Sequence, residues 1–296
     1  MAASARTLKD LPPVAALPMY DWPAVRHAND ALWRRLAKAL GARGLDAPDE
    51  LERSRPVAEI WRDGGLLLAQ TCGYPFVTQL RDRVRLVATP CYAVPGCHGS
   101  DYSSHIIVRR DEPVDALGDM AGRTVAINGT SSQSGFAALQ ASVAALHGPA
   151  PFFSAVRVSG SHLGSMRAVA AGEADLAAVD AVCWALARRD CPEVSGDLKS
   201  IARTAPTPGL PFVTAAARPD AEVAQIADAL AECLADPATA DARNDLFLSG
   251  LERVPAGDYC AAFCRLSDRD AEKLMPAAPA AVHQADNATI AHGRRP

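Results

Sequence analysis

The chain has 296 residues with a formal net charge of -4 at pH 7, and 49% of its residues are hydrophobic and 22% charged. This is the composition of a globular protein of one large or two ordinary domains, and its scattered lysines and arginines exclude a basic surface for nucleic acid. No apolar stretch reaches about 18 residues, so the sequence predicts no membrane-spanning helix. Residues 1–13 contain no apolar signal-peptide core, so we expect either a cytoplasmic protein or a leader that lies outside this sequence.

The first hundred residues alternate apolar runs with helical patterns. A short apolar run over 14–20 precedes a helical pattern over 24–40, and two further strands are predicted over 66–70 and 84–92. Alternation of this kind predicts βαβ units, whose ligands gather at the carboxyl ends of the strands. The side chains that we place at such ends are Tyr20, Thr71, Tyr74 and Tyr92.

A second series of alternating elements begins near residue 102. Strands are predicted over 102–109, 123–127, 152–158, 175–179, 199–204 and 212–216, with helices over 136–146, 163–171, 182–189, 220–234, 238–248 and about 258–266. The proline-rich segment 205–211 is typical of a hinge, and the stretch after residue 276 is typical of a frayed tail.

This order of elements predicts an α/β protein of two lobes. Residues 1–103 and 204–296 form the first lobe and residues 104–203 the second, each a mostly parallel sheet flanked by helices and joined by two crossing segments. Such chains close on a ligand by hinge motion.

The turn 128–136 is the predicted ligand site, because it joins a buried strand to a helix. The first helical turn has backbone N–H groups without partners and a partial positive charge, which together bind anions. Ser132, Gln133 and Ser134 supply further polar groups. The alternative is that Ser132 or Ser134 only caps the helix.

Two more polar side chains stand at strand ends. His162 lies between a strand and a helix, where its imidazole is suited to donate a hydrogen bond to an anion. Asp180 follows four apolar or small residues and is suited to hold an amine or hydroxyl of a ligand. For each residue the alternative is a helix-capping role.

The eight cysteines show no CxxC pair and no zinc-ligand spacing, so we predict no metal site and reduced, mostly buried thiols. A disulfide between Cys91 and Cys97 across a short loop is an alternative. Cys72 with His98 or His105 has the residue types of a nucleophile and its base, but that pairing needs a proximity that the sequence does not reveal. No hydrolase elbow, metalloprotease or nucleotide-binding motif is present.

The segment 128–136, the Gly-Ser-His at 160–162 and the run 168–180 resemble the phosphate, phosphite and phosphonate substrate-binding family of ABC transporters. The resemblance implies the type II periplasmic-binding fold, a small-molecule anion as ligand and no cofactor. It further implies ABC permease and ATPase subunits as partners, a periplasmic location and a monomer.

Residue by residue, the resemblance implies that Ser132 and Ser134 hold the oxyanion, with the N–H groups around Gln133. His162 would add a donor, and Tyr20, Tyr74 and Tyr92 would close the cleft from the other lobe. Gln133 departs from the family, because a hydroxyl residue is expected there. The crossing segment 204–211 lacks the acid that binds a ligand amine, which leaves Asp180 for that role. A cytoplasmic sensor and a cofactor-biosynthesis enzyme on the same fold remain alternative functions.

Overall fold

The structure, a computed structural model, describes residues 11–146 and 151–263. The predicted tail after residue 276 and the end of the last predicted helix lie outside the described residues.

Strands and helices alternate along most of the chain. The strands are β1 (Val14–Ala16), β2 (Leu66–Gln70), β3 (Val84–Tyr92), β4 (Cys97–His98), β5 (Asp101–Tyr102), β6 (Ser104–Arg109), β7 (Thr124–Ile127), β8 (Ala155–Val158), β9 (Leu176–Asp180), β10 (Leu198–Arg203), β11 (Thr207–Pro208), β12 (Phe212–Ala215) and β13 (Leu248–Glu252). The α-helices are α1 (Arg26–Gly41), α2 (Val57–Ile60), α3 (Gly73–Thr78), α4 (Ala138–Ala144), α5 (His162–Ala170), α6 (Ala181–Asp190), α7 (Pro192–Ser195), α8 (Asp220–Ala235), α9 (Ala240–Asp245) and α10 (Ala256–Phe263).

The first lobe is built on a five-stranded sheet in the order β1-β2-β12-β3-β13. β1 and β2 are parallel, whereas β12 and β13 run antiparallel to their neighbours. β2 is apolar except for its last residue, and all five of its residues are buried, as expected of a strand with both faces covered. β2 and β3 are both antiparallel to β12, so their carboxyl ends lie at the same edge of the sheet. Thr71 and Tyr92 lie at this edge.

The second lobe contains a five-stranded sheet in the order β10-β6-β9-β7-β8. β7 is parallel to β8 and β9, while β6 is antiparallel to β9 and β10. Parallel pairs are thus present in both sheets, but the antiparallel pairing of β12, β13 and β6 makes the sheets mixed and not mostly parallel as predicted. The predicted lobe boundaries, at residues 103 and 204, stay predictions.

The two crossing segments pair with each other. β11, β5 and β4 form a small sheet in which Thr207 lies opposite Tyr102, and Tyr102 lies opposite Cys97. The predicted strand 102–109 is consequently two strands, interrupted at Ser103. Because of this break, residues 101–102 pair within the small sheet of the crossing segments, while β6 joins the sheet of the second lobe.

Several elements differ from the sequence-based predictions. The predicted helix 238–248 ends at Asp245, and Leu248 instead begins β13, which pairs with β3. The predicted strand 152–158 starts only at Ala155, because Phe152 and Phe153 are buried in the core ahead of it. The predicted alternative of a disulfide between Cys91 and Cys97 is wrong, since both thiols are free and lie on separate strands, β3 and β4. Among the described residues, no helix has the length and apolar character needed to cross a membrane.

Candidate functional site

The predicted ligand turn forms the start of a helix. Gln133–Ala137 is a π-helical turn that runs directly into α4, so Gln133 and Ser134 belong to the helix and not to the loop before it. Ser132 is the N-cap, and its hydroxyl accepts a hydrogen bond of 3.0 Å from the N–H of Gly135. The capping interpretation therefore holds for Ser132, while the N–H groups of Gln133 and Ser134 face the other lobe.

Ser134 and His162 form a partly buried pair. The Ser134 hydroxyl lies 2.8 Å from Nε2 of His162, and its carbonyl accepts a hydrogen bond of 2.9 Å from the hydroxyl of Ser104. Burial lowers the pKa of His162 to about 4, against a weaker opposing effect of the Ala178 backbone. The imidazole is thus neutral at physiological pH, and it has one N–H to donate.

Asn128 and Gly135 fix the position of His162. The Asn128 amide nitrogen lies 3.5 Å from Nε2 of His162. A Cβ atom on Gly135 would come within 2.0 Å of the Asn128 Oδ1 atom and 3.3 Å of the His162 ring. Only glycine permits this approach without displacing one of the two side chains.

Gln133 and Cys72 make contacts between the lobes. The N–H of Gln133 donates to Sγ of Cys72 at 3.3 Å, and its amide nitrogen lies 3.5 Å from the Thr207 hydroxyl in the crossing segment. Burial raises the pKa of the Cys72 thiol to about 11. The thiol is protonated at neutral pH and is therefore a poor nucleophile.

The proposed nucleophile and base do not meet. Both ring nitrogens of His105 have partners, the Ser200 hydroxyl at 2.9 Å and the Pro95 carbonyl at 3.0 Å, and His98 is exposed. The pairing of Cys72 with His98 or His105 is thus wrong, because neither histidine contacts the thiol.

Tyr20 and Asp180 form a second interlobe contact. The Tyr20 hydroxyl donates to Oδ2 of Asp180 at 2.9 Å, and both residues are almost fully buried. The other oxygen of Asp180 accepts from the N–H groups of Val182 and Cys183 at 2.8 and 3.1 Å, which caps α6. Burial raises the pKa of Asp180 to about 6. Asp180 therefore both caps α6 and contacts the first lobe.

The remaining predicted residues lie in the wall of the first lobe. Tyr92 packs edge-on against Tyr20, with ring centroids 5.2 Å apart, and its hydroxyl accepts a hydrogen bond of 3.1 Å from Gln70. Tyr74 lies in the first turn of α3 and is half-buried. Thr71 is fully buried, and its hydroxyl lies 3.4 Å from the Cys72 carbonyl, so it contributes to the wall without contacting the serine turn.

Tyr102 and Ser104 were missed by the sequence analysis. Tyr102 is buried, and its hydroxyl faces Ser134 without a hydrogen bond of normal geometry. Ser104 binds the Ser134 carbonyl from β6. The sequence Tyr-Ser-Ser-His at the start of a strand was a usable signal, because polar side chains in an otherwise apolar strand need partners.

These residues define the cleft cluster, which consists of Tyr20, Cys72, Tyr92, Tyr102, Asn128, Gln133, Ser134, His162 and Asp180. Five buried side-chain atoms in the described parts of the chain have no hydrogen-bond partner, and four of them are Tyr102 Oη, Asn128 Oδ1, Gln133 Oε1 and His162 Nδ1. Within the same described parts, no lysine or arginine side chain forms a hydrogen bond or ion pair with the cluster, and no group of side chains is arranged to hold a metal ion. Apart from the carboxyl of Asp180, the cluster therefore offers neutral donors and acceptors in a largely buried setting.

Known structures resemble this fold closely in shape and weakly in sequence. XAC2383 from Xanthomonas citri, bound to chloride, has a TM-score of 0.66 at 18% identity, over 86% of this chain and 97% of that one. A binding-protein component of an ABC phosphonate transporter from Pseudomonas aeruginosa has a TM-score of 0.64 at 17% identity, over 88% and 96%. PhnD1 from Prochlorococcus marinus, in complex with methylphosphonate, has a TM-score of 0.65 at 13% identity, over 84% and 94%.

No curated protein sequence matches the chain. The family model for the periplasmic substrate-binding protein of phosphonate ABC transporters matches residues 14–259. That match includes both sheets and every residue of the cleft cluster. The chain belongs to the family of periplasmic phosphonate-binding proteins of ABC transporters.

Proposed function

We propose that the protein captures a small oxyanion, phosphonate-like or phosphate-like, between its two lobes and releases it chemically unchanged. The observation that carries this proposal is the concentration of unpartnered buried polar atoms in the cleft cluster. Buried polar groups are normally paired, and each unpaired one costs about 1–3 kcal/mol. A monoprotonated phosphonate or phosphate would recover part of this cost, because its free oxygens accept from Tyr102 Oη and its P–OH group donates to Asn128 Oδ1 or Gln133 Oε1.

The chemistry of the cluster supports an oxyanion held by neutral donors. The N–H groups of Gln133 and Ser134 open a helix, where the partial positive charge favours an anion. Around them lie the hydroxyl of Ser134 and the neutral imidazole of His162. Dipoles of this kind bind strongly in a buried site because water does not screen them.

Capture by two lobes explains the residues that join them. Tyr20 and Cys72 of the first lobe reach Asp180 and Gln133 of the second. Contacts of this kind favour a closed arrangement, and a ligand that adds further contacts to both lobes shifts the population toward it.

The same function implies partners and a location. In an uptake system the loaded protein docks on an ABC permease driven by an ATPase, and the periplasm is where such a protein works. Methylphosphonate is the ligand in the PhnD1 complex, which makes it the first compound to test here.

Isothermal titration calorimetry with methylphosphonate, phosphite and phosphate tests the proposal, with sulfate as a comparison anion. We expect one ligand per chain for at least one of the phosphorus oxyanions. Ser134→Ala and His162→Ala should each weaken that binding by roughly tenfold to a hundredfold, since each removes a buried hydrogen bond worth about 1–3 kcal/mol.

Two matched variants serve as controls. Ser142→Ala removes a hydroxyl from the same helix, where it bonds only to the Ala138 carbonyl, and His98→Ala removes an exposed histidine. Both should bind as the unmodified protein does. Absence of binding to all three phosphorus oxyanions, in a protein shown to be folded by circular dichroism, would contradict the proposed ligand class.

The enzyme alternative finds one supporting feature in the Ser134–His162 pair. In an enzyme with a serine nucleophile, the histidine base is oriented by a third group that binds the second ring nitrogen of the histidine. His162 Nδ1 has no carboxylate partner and no hydrogen bond of normal geometry among the described residues, and only the Ala178 backbone interacts with the ring from that side. The pair is therefore better suited to holding a ligand than to activating a nucleophile. The sensor alternative stays a prediction.

A further inference from the structure

A groove lies on the side of β6 that faces away from the serine turn. Successive side chains of a strand point to opposite faces. Ser104 points to Ser134, whereas the ring of the next residue, His105, points into this groove. The groove has a volume of about 750 Å³. Binding sites for small molecules have volumes of roughly 300–1,000 Å³, so the groove is large enough for one.

The two lobes both contribute to this feature, which we name the hinge groove. Val94, in the connection from β3 to β4, and Phe247, directly before β13, come from the first lobe. Trp184 on α6 and Ile201 on β10 come from the second. These side chains give the hinge groove an apolar floor on either side of the crossing segments.

Three arginines stand at the hinge groove, and two of them have no acidic partner. Arg189 pairs with Asp190 at 2.8 Å and lies over the ring of Phe247, 4.7 Å from its centroid. The guanidinium groups of Arg188 and Arg203 form no ion pair and no hydrogen bond with any described residue. They therefore carry the uncompensated positive charge of the hinge groove.

Arg188 lies on α6 and Arg203 on β10, but both affect the same residue, His105. Burial lowers the pKa of His105, and the positive charges of Arg203 and then Arg188 lower it further. The aliphatic part of Arg203 also lies close to Gly96, where an added Cβ would be 3.7 Å from Cδ of the arginine. Two guanidinium groups near one imidazole mark a point of positive potential at the edge of the apolar floor.

We propose that the hinge groove is a binding site for a small organic anion with an apolar body. The carboxylate or phosphate of such a ligand pairs with Arg188 and Arg203, because guanidinium groups bind planar oxyanions with two parallel hydrogen bonds. Its apolar part packs on the floor of the hinge groove. This ligand differs from that of the cleft cluster, which holds a small oxyanion without any arginine.

Titration calorimetry of the full chain with 2-naphthoate and 2-naphthyl phosphate tests this site, with 2-naphthol as the uncharged analogue. The acid and the phosphate share the proposed chemistry, and their relative affinity distinguishes a carboxylate from a phosphate source. Both should bind, and 2-naphthol should bind at least about tenfold more weakly, as expected when charge-assisted hydrogen bonds are lost.

The double variant Arg188→Gln/Arg203→Gln should reduce the affinity for the charged naphthyl ligands by about tenfold or more. Its matched control is Arg34→Gln/Arg81→Gln, which removes two exposed arginines elsewhere and changes the net charge equally. The control should retain the affinity of the unmodified protein. Equal affinities in the two double variants, or no binding of either charged ligand, would overturn the proposal.

Competition separates this site from the cleft. Addition of saturating methylphosphonate, phosphite or phosphate should leave the naphthyl ligands bound, because the two sites lie on opposite sides of β6. Displacement that is abolished by Ser134→Ala would instead assign the naphthyl ligand to the cleft cluster and would overturn the proposal, whereas displacement unaffected by Ser134→Ala would be direct competition for Arg188 and Arg203. The double-variant result does not depend on whether the cleft binds its own ligand.

Discussion

Strand β6 separates two polar regions that offer positive potential in different ways. On one side, the cleft cluster presents neutral hydroxyl, amide and imidazole groups that are buried and incompletely paired. On the other side, the hinge groove presents the permanent charges of Arg188 and Arg203 on an open surface. Neutral dipoles are strong where water is excluded, whereas exposed charges are screened by water and salt. The two regions should therefore respond differently to packing changes, pH and ionic strength.

The largest expected effect comes from a methyl group placed inside the cleft cluster. In Gly135→Ala the new Cβ would meet Asn128 Oδ1 at 2.0 Å and so displace the side chain that borders His162. Overpacking of this kind costs about 1–3 kcal/mol of stability. We expect this loss in urea unfolding, together with a loss of oxyanion affinity of at least about tenfold by calorimetry.

Gly129→Ala is the matched control for that experiment. Gly129 lies in the same turn, and an added Cβ would have nothing within 4 Å. The variant should keep both its affinity and its stability. If Gly135→Ala behaves like Gly129→Ala, the packing of Asn128 against Gly135 does not hold the cluster in place. Neither substitution should alter binding in the hinge groove.

The sequence predicted the ends of the central strands well because each end was a sharp local change from apolar to polar residues. Asp180 at the end of β9 and the serines after β7 were found in this way, and they lie at the strand ends where the prediction put them. Tyr102 was not found, because its role depends on the break at Ser103 that leaves it in the crossing segment. That break follows from pairing with β11, about a hundred residues later, so the local Tyr-Ser-Ser-His run indicated that polar partners were needed but not which partners they were.

The same limit explains the missed strand β13. Leu248–Glu252 follows a helix and has weak strand character, but it completes the first sheet by pairing with β3. Strand preference depends strongly on the neighbours that a residue meets in the sheet. The hinge groove was also beyond the sequence, because Val94, Trp184 and Arg203 come together only through the crossing of the two lobes.

An effect of similar size on stability, with no expected loss of the fold, concerns the single acid of the cleft cluster. Burial raises the pKa of Asp180 to about 6 from an ordinary 3.8. Because the folded pKa is above the unfolded one, stability is lost as the pH rises from about 4 to about 6, and the loss is constant above that window. A shift of about two units corresponds to roughly 3 kcal/mol.

Asp180→Asn should remove this dependence, since the asparagine oxygen can cap α6 while its amide nitrogen donates a hydrogen bond to the Tyr20 oxygen. Urea unfolding at several pH values measures the difference between the variant and the unmodified protein. The variant should gain up to roughly 3 kcal/mol on the unmodified protein between about pH 4 and about pH 7. Parallel stability curves would mean that the Asp180 carboxyl titrates normally in the folded state.

Added salt should weaken binding in the hinge groove more than binding in the cleft cluster, and the difference should be moderate. An increase from about 20 mM to about 500 mM sodium chloride shortens the screening length several-fold. The affinity of the hinge groove for 2-naphthoate should fall by roughly threefold to tenfold, because exposed ion pairs are screened. The affinity of the cleft for methylphosphonate should change by less than about twofold. Equal salt dependence at both sites would contradict the contrast between buried dipoles and exposed charges.

The smallest expected effect concerns the contact between Cys72 and the serine turn. Sγ of Cys72 accepts the N–H of Gln133 across the lobes, but a thiol is a weak acceptor. Cys72→Ala should therefore change the oxyanion affinity by no more than about threefold, since the N–H group is better satisfied by a ligand oxygen. Cys72→Ser supplies a stronger acceptor from the same lobe. Because its hydroxyl competes with the ligand for the N–H of Gln133, this variant should bind more weakly than Cys72→Ala. If the alanine variant is the weaker binder of the two, the residue assists the ligand directly and does not merely occupy its N–H donor.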